Sequence, residues 1–224
     1  MPDWQAINRN LRQHGVAVDE PVTAQSVSGG DINAAWRLRT SAGAMFIKTA
    51  AAESFDMFSA EADGLNELAN AKAIRVPQVM ACDTVGGEAY IALEWLEFSR
   101  ANSATDEELG HRLVALHRTH AERYGWHRDN TIGLTPQPNA WNDDWVEFFR
   151  TQRLIHQLRL AEANGYGGEL QRDGMRLAEN LQRLFAGYQP QSSLLHGDLW
   201  GGNWASVNSE PVIFDPAVYF GDRE

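Results

Sequence analysis

The chain has almost no cysteine and almost no lysine. Cys82 is the only cysteine among 224 residues, which excludes an internal disulfide and is typical of a protein in a reducing cytoplasm. No apolar run approaches the length of a membrane span, and residues 1–4 do not begin a signal peptide, so we expect a cytoplasmic protein without a membrane partner. The formal net charge of −11 argues against nucleic acid as a partner, because phosphate contacts need clustered cations.

The few lysines make Lys48 informative. Only two lysines occur against seventeen arginines, and Lys48 lies at the end of the apolar, strand-like run 44–48. A lysine in that position can hold nucleotide phosphates as a compact point charge, whereas arginine presents a planar fork. The alternative is a lysine that protects a sheet edge from unwanted pairing. We interpret Lys48 as a phosphate ligand because of the motif described next.

The most informative motif begins at His196. Asp198 follows this histidine by two residues, Asn203 comes five residues later, and Asp215 follows the apolar run 211–214. Phosphoryl transfer needs a carboxylate that orients and deprotonates the acceptor hydroxyl, and an amide oxygen and a second carboxylate that hold Mg²⁺ on the nucleotide. We therefore predict that Asp198 is catalytic and that Asn203 and Asp215 bind metal and nucleotide. The runs 192–195 and 211–214 are predicted to be the strands of a hairpin-like unit around this loop, with a turn at 208–210.

The N-terminal part predicts the rest of a nucleotide site. A glycine turn between two strands spans 28–33, where Ser28, Gly29 and Gly30 would let the main chain approach phosphates, although such a turn is also common in plain hairpins. An amphipathic helix follows within 52–69, and Glu61 borders its apolar stripe. We predict that Glu61, rather than Glu53 or Glu67, pairs with Lys48.

Two further strands are predicted at about 78–83 and 89–94, followed by a hinge at 95–98. The backbone of the hinge region, at Glu94 and Leu96, would read the edge of an adenine. Beyond residue 100 the pattern is helical: a helix starts with a capping box of Thr105 and Glu108, and others cover about 141–160 and 169–185.

A loop at 124–139 separates the first two of these helices. It mixes turn-forming residues with tryptophan, amide and hydroxyl groups, which suits the recognition of a sugar, although an ordered surface connection would show the same composition. Asn130, Gln137 and Asn139 of this loop, together with Trp200 of the catalytic loop, are the candidate contacts to the acceptor substrate.

Three stretches together resemble one known family. The segment 196–203, the segment 215–224 that begins Asp-Pro-Ala-Val-Tyr, and the spacing of Gly133, Gln137, Asn139 and Trp145 are similar to those of the fructosamine kinase (ketosamine kinase) family. This family belongs to the protein-kinase-like group that also contains the aminoglycoside phosphotransferases. The resemblance runs from the glycine turn to the last residue, with glycine at position 201 where the family usually has serine.

The resemblance implies an α+β, two-lobed protein-kinase-like fold, with a small antiparallel-sheet lobe over 1–94, a hinge at 95–98 and a mostly helical lobe over 99–224. It implies ATP and Mg²⁺ as cofactors. The substrate would be a small-molecule or protein-bound ketosamine, phosphorylated on its sugar 3-hydroxyl in a deglycation repair reaction. Because family members continue with further helices, we expect a helical lobe that is truncated at its C-terminus. Such a truncation would expose apolar surface and favour association, so an oligomer stays among the expectations.

Two alternatives stay open at this point. The acceptor could be another metabolite, such as an aminoglycoside or a choline-like compound, or the chain could be a nucleotide-binding module without turnover. The occupied catalytic positions and the Asp-Pro-Ala-Val-Tyr segment favour a ketosamine kinase.

Overall fold

A computed structural model describes residues 1–19, 23–27, 33–40 and 43–224, and these residues form two compact units. The first unit comprises residues 1–115 and 198–216, and the second comprises 116–197 and 217–224. Residues 99–115 and 198–216 thus belong with the N-terminal residues, whereas the sequence placed these segments in the helical lobe. The lobe and hinge boundaries stay a prediction.

The first unit is built on a five-stranded antiparallel sheet. The helices and strands of its first segment, residues 1–115, are α1 (Trp4–Gln13), β1 (Thr23–Val27), β2 (Ala34–Thr40), β3 (Gly43–Ala51), α2 (Phe55–Ala71), β4 (Val79–Val85), β5 (Glu88–Glu94) and most of α3 (Ser103–Leu116). The strand order is β1-β2-β3-β5-β4. Strand β3 carries Lys48, and it pairs with β5 from Met45 with Glu94 to Ala51 with Glu88.

The two faces of this sheet are covered by different helices. Successive side chains of a strand point to opposite faces. Ile47 lies on the face covered by α1, where it shares a buried cluster with Ile7 and Leu11. Lys48 lies on the opposite face and reaches Glu61 of α2. The alternating directions of the side chains of β3 therefore place the core of the unit on one face of the sheet and the charged residues of the site on the other.

Three predictions about local structure need correction. Helix α3 begins at Ser103, and its cap is Asn102, three residues before the predicted cap: the Asn102 Oδ1 atom accepts the backbone N–H groups of Ala104 at 3.0 Å and Thr105 at 3.1 Å. Thr105 therefore lies inside the helix and is not its cap. The helix predicted at about 141–160 begins at Trp145, after an Asp144 cap, and is interrupted by a π-helical turn.

The third correction concerns the hairpin around the catalytic loop. The strand β10 (Glu210–Ile213) pairs with β9 (Trp204–Val207), a strand that was not predicted, and not with the strand predicted at 192–195. Asn208 and Ser209 connect β9 and β10 with positive φ angles of 52° and 69°, as a two-residue hairpin turn requires. Both strands belong to the first unit.

The second unit combines helices with small two-stranded sheets. Its elements are β6 (Asn130–Ile132), β7 (Thr135–Gln137), α4 (Trp145–Phe148), the π-helical turn Phe149–Ile155, α5 (His156–Ala163), α6 (Glu169–Leu184), β8 (Ser193–Leu195) and β11 (Tyr219–Gly221). Strand β8 pairs with β11. Across the described ranges of both units, no helix is long and apolar enough to cross a membrane.

Candidate active site

The first unit contains a buried lysine that is shared by two carboxylates. The Nζ atom of Lys48 donates to Glu61 Oε1 at 2.8 Å and to Asp215 Oδ1 at 2.6 Å. The side chains of Lys48 and Glu61 are only 13% and 12% exposed, whereas that of Asp215 is 46% exposed. The predicted pairing of Lys48 with Glu61 is confirmed. The contact with Asp215 was not predicted.

This shared ammonium decides the charge states of the cluster. Burial alone lowers the pKa of Lys48, but the two carboxylates outweigh burial and hold that pKa above its ordinary value. Burial raises the pKa of the Glu61 carboxyl; Lys48 opposes the rise and Asp215 adds to it. Lys48 is therefore a permanent cation, while Glu61 competes with Asp215 for it.

The predicted catalytic loop, residues 196–203, brings Asn203 against Asp198. The Asn203 Nδ2 atom donates to the backbone oxygen of Asp198 at 2.8 Å and to its Oδ2 atom at 3.2 Å. Because the amide nitrogen faces Asp198, the amide oxygen is left as the end that can bind a metal ion. Burial raises the pKa of Asp198; the hydrogen bond from Asn203 opposes this shift, and the charge of Asp215 adds to it.

Asp215 is connected to the same loop through its neighbour. The backbone oxygen of Asn203 accepts the N–H of Phe214 at 3.0 Å, which ties the residue before Asp215 to the loop. Asp215 itself has a φ angle of 56°, a left-handed conformation that is uncommon for residues other than glycine. The catalytic loop, Asp215, Lys48 and Glu61 thus form one connected polar cluster within the first unit.

The oxygen atoms of Asn203 and Asp215 fit a Mg²⁺ ion. Mg²⁺ prefers hard oxygen ligands and is commonly bound by one or two carboxylates plus substrate phosphates. The described residues contain no cluster of three or more His, Cys, Asp or Glu side chains that could hold a metal by themselves.

The predicted contacts to the nucleotide base are described only in part. Ser28, Gly29 and Gly30 lie outside the described residues. Glu94 is the last residue of β5, and its carboxylate accepts Arg75 Nη2 at 2.7 Å and the backbone N–H of Gln78 at 3.3 Å. Leu96, two residues farther along, is half-buried. Their backbone contacts to adenine stay a prediction.

The sequence did not predict that aromatic side chains near this segment contribute to the candidate site. Phe46 shares a face of β3 with Lys48 and lies 6.4 Å from the ring of Trp95, while Phe98 stacks on Phe214 at 5.3 Å with an angle of 16° between the planes. Two features of the sequence could have indicated this contribution: the two-residue spacing from Phe46 to Lys48, and the position of Phe214 immediately before Asp215. These rings offer flat apolar surfaces of the kind that a purine base can stack on.

Among the candidate acceptor contacts, Trp200 is exposed. Its side chain is 64% exposed, and it lies two residues after the predicted base. A Cβ atom added to Gly202 would come within 2.3 Å of the Trp200 ring, so glycine at that position permits this ring placement. At Gly201, by contrast, a Cβ would meet nothing within 4 Å, so the departure from the usual serine costs no contact.

The other three acceptor candidates are buried and bound to the protein itself. Asn130, Gln137 and Asn139 are 7%, 5% and 0% exposed, and the amide nitrogens of Asn130 and Gln137 donate to the backbone oxygens of Val218 and Ala217. This geometry favours a positioning role over direct contact with a substrate, and their assignment to the acceptor stays a prediction.

Comparison with known proteins agrees with this architecture. Residues 3–224 match the family model described as fructosamine kinase. The chain is 41% identical to a probable ketoamine kinase of Synechocystis over 99% of its length and 75% of that protein, and 42% identical to a chloroplastic protein-ribulosamine 3-kinase of Arabidopsis thaliana over 89% of its length and 62% of that protein.

A solved structure supports the same relationship. The crystal structure of a putative fructosamine-3-kinase from Haemophilus somnus superposes with a TM-score of 0.88 at 27% identity, and the match covers 98% of this chain and 74% of that one. An aminoglycoside phosphotransferase superposes with a TM-score of 0.62 at 13% identity, a likeness of fold alone, over 90% of this chain and 69% of that one. The chain belongs to the fructosamine kinase family.

Proposed function

We propose that the protein is a kinase that transfers the γ-phosphoryl group of ATP to a sugar hydroxyl of a ketosamine. The observation that carries this proposal is the connected cluster of Lys48, Glu61, Asp198, Asn203 and Asp215 in the first unit. The names of the relatives, ketoamine kinase and protein-ribulosamine 3-kinase, support this class of acceptor. The reaction would serve deglycation in the cytoplasm, a reducing compartment that suits a chain with a single cysteine, Cys82.

Each residue of the cluster has a role that its surroundings support. Lys48 holds the phosphates as a fixed point charge, because its pKa is raised and Glu61 restrains it. Asp198 orients the acceptor hydroxyl and takes its proton, helped by a pKa that burial raises toward the working range of a general base.

Asn203 and Asp215 are the residues that would hold Mg²⁺. When bound there, the ion neutralises charge that develops on the transferred phosphoryl group. Asn203 also keeps Asp198 in place through its amide nitrogen, so one side chain serves both the base and the metal. The exposed ring of Trp200, next to the base, is the candidate contact to the sugar.

The proposal is tested by a coupled assay for ADP with synthetic fructosamine and ribulosamine as acceptors. We expect turnover that needs both ATP and a divalent cation and that falls by about 10²–10⁴-fold in Asp198→Asn. Kanamycin and choline serve as acceptor controls. Turnover of either control at a higher kcat/KM than both ketosamines would contradict the proposed acceptor, and nucleotide binding without turnover of any acceptor would indicate a binding module.

A further inference from the structure

The backbone of Asp215 is held in a conformation that an aspartate seldom adopts. Its φ angle is 56°, and the chain continues through Pro216 into two fully buried residues, Ala217 and Val218. A left-handed conformation at a residue other than glycine costs free energy and persists only where the surrounding structure fixes it. The bonds that fix the segment after Asp215 are therefore relevant to the orientation of its carboxylate.

Two buried amides hold this segment by successive carbonyl groups. Gln137 Nε2 donates to the backbone oxygen of Ala217 at 3.0 Å, and Asn130 Nδ2 donates to that of Val218 at 2.8 Å. The two amides are joined, because Gln137 Nε2 also donates to Asn130 Oδ1 at 2.9 Å, and Asn139 Nδ2 donates to the same oxygen at 3.0 Å. Each amide is thereby locked in one orientation.

A guanidinium group fixes the far end of this amide network. Arg153 Nη2 donates to Asn139 Oδ1 at 2.7 Å, and its Nη1 donates to the backbone oxygen of Pro138 at 2.6 Å. The group lies 4.1 Å from the ring centre of Tyr219 and 4.8 Å from that of Phe148. Arg153 belongs to the π-helical turn that interrupts the helix after Phe148. Such turns are frequent at functional sites.

The same segment also crosses the start of the catalytic loop. The backbone N–H of Ala217 donates to the oxygen of His196 at 2.9 Å, and a Cβ atom on Gly197 would come within 1.8 Å of the Ala217 oxygen. Gly197, with a φ angle of 83°, is thus required for a close backbone contact immediately before Asp198.

We propose that Gln137 and Asn130 are positioning residues for metal binding. They hold the carbonyl groups of Ala217 and Val218, and this fixes the backbone that follows Asp215, so that its carboxylate would be held in place for a metal ion, without either amide touching substrate. The inference rests on the proposed function, since it assigns a Mg²⁺-dependent nucleotide site. Groups that orient a metal ligand typically contribute about 10–100-fold to metal affinity.

The test uses Gln137→Met, which removes the amide and keeps the length of the side chain. The matched control is Tyr124→Phe in the same unit, which removes one hydrogen bond to a backbone oxygen, that of Pro190 at 2.7 Å. Both variants are expected to melt at lower temperature than the wild type. Binding of a fluorescent ATP analogue is then measured against Mg²⁺ concentration, and steady-state rates are measured against Mg²⁺ with ATP in excess.

We expect Gln137→Met to need about 10–100-fold more Mg²⁺ for half-maximal binding and rate, while its binding of the analogue in EDTA equals that of the wild type. Tyr124→Phe should keep the wild-type Mg²⁺ response. If Gln137→Met does not fold, Asn130→Ser removes the neighbouring amide and is measured in the same way.

Equal Mg²⁺ responses in the amide variant and in Tyr124→Phe would show a structural role only and overturn the inference. That result, in a wild-type enzyme that turns over ketosamines, would leave the proposed function intact. Mg²⁺-dependent nucleotide binding without turnover of any ketosamine would refute the proposed acceptor but still allow the inference to be judged. A wild type that binds no nucleotide with Mg²⁺ would refute both.

Discussion

The substitution Glu61→Gln tests how the shared ammonium of Lys48 is stabilised. It keeps the shape of the side chain and removes one of the two charges that face Lys48. At an effective dielectric constant of about 20, unit charges 2.8 Å apart attract by about 6 kcal/mol before the cost of burying them is subtracted. Removing one partner of a buried pair and leaving the other uncompensated typically costs about 3–5 kcal/mol.

The loss of stability in Glu61→Gln should be smaller than this, because Lys48 retains its ion pair with Asp215 at 2.6 Å. We therefore expect Glu61→Gln to lower the free energy of unfolding by about 1–3 kcal/mol, the range for a buried polar group that loses a hydrogen-bond partner. For a chain of this size that corresponds to a fall in Tm of about 2–12 °C. The KM for Mg²⁺-ATP should rise, because a lysine held by Asp215 alone competes with the metal for that carboxylate.

The measurement is a double-mutant cycle in urea with Glu61→Gln, Lys48→Met and the double variant. Glu67→Gln, on the same helix α2, is the control for a glutamate that does not pair with Lys48. We expect a coupling energy of at least about 1 kcal/mol for the pair and almost none for the control. Coupling of Glu61 and Lys48 within about 0.3–0.5 kcal/mol of additivity would refute the reasoning.

Three further predictions concern the chemistry. Asp198→Asn should lower kcat by about 10²–10⁴-fold with nearly unchanged nucleotide affinity. In the wild type, the acidic limb of the pH profile of kcat/KM should lie above the pKa of about 3.9 of an ordinary aspartate, because the base must be ionised and burial raises its pKa. Full activity of the variant, or an acidic limb at the ordinary pKa, would contradict the assignment. Asp215→Ala should abolish the Mg²⁺ dependence of nucleotide binding in a fluorescence titration, and a retained dependence would exclude it as the metal ligand. Gly202→Ala should displace the Trp200 ring, whose atoms lie as close as 2.3 Å to the added Cβ, and should raise the KM for the ketosamine, as should Trp200→Ala. Gly201→Ser has open space around its Cβ and should leave this KM unchanged. Equal KM values for the two glycine variants would argue against a contact between Trp200 and the sugar.

The sequence predicted the parts of the site that depend on local periodicity. Lys48 at the end of an apolar strand and Glu61 at the margin of an apolar helical stripe are 13 residues apart, and the two periodicities suffice to turn them toward each other. The contact of Lys48 with Asp215 joins residues 167 positions apart, and no local pattern indicates it.

The amide residues show a different limit. Asn130, Gln137 and Asn139 were predicted to contact the acceptor, but an amide offers the same donors and acceptors to a sugar as to a backbone carbonyl. Whether such an amide binds a sugar or a backbone carbonyl depends on whether it is buried. The burial of these amides depends on the segment of Ala217 and Val218, which lies at least 80 residues away in sequence and binds the loop 124–139. The prediction that β8 and β10 pair with each other was wrong for a related reason. Both strands are short, and tertiary contacts determine which strands they pair with.

The hydrogen bond between His196 and Ala217 also has a consequence for how the protein folds. It closes a short stretch of chain that carries Asp198, Asn203 and Asp215, whereas the ion pair of Lys48 with Asp215 closes a loop of 167 residues. Each doubling of loop length adds about 0.6 kcal/mol of closure entropy, so the ion pair costs about 2 kcal/mol more to close than the short stretch. The loop that carries Asp198, Asn203 and Asp215 therefore costs less entropy to close than its contact with Lys48, and local contacts of this kind favour fast assembly.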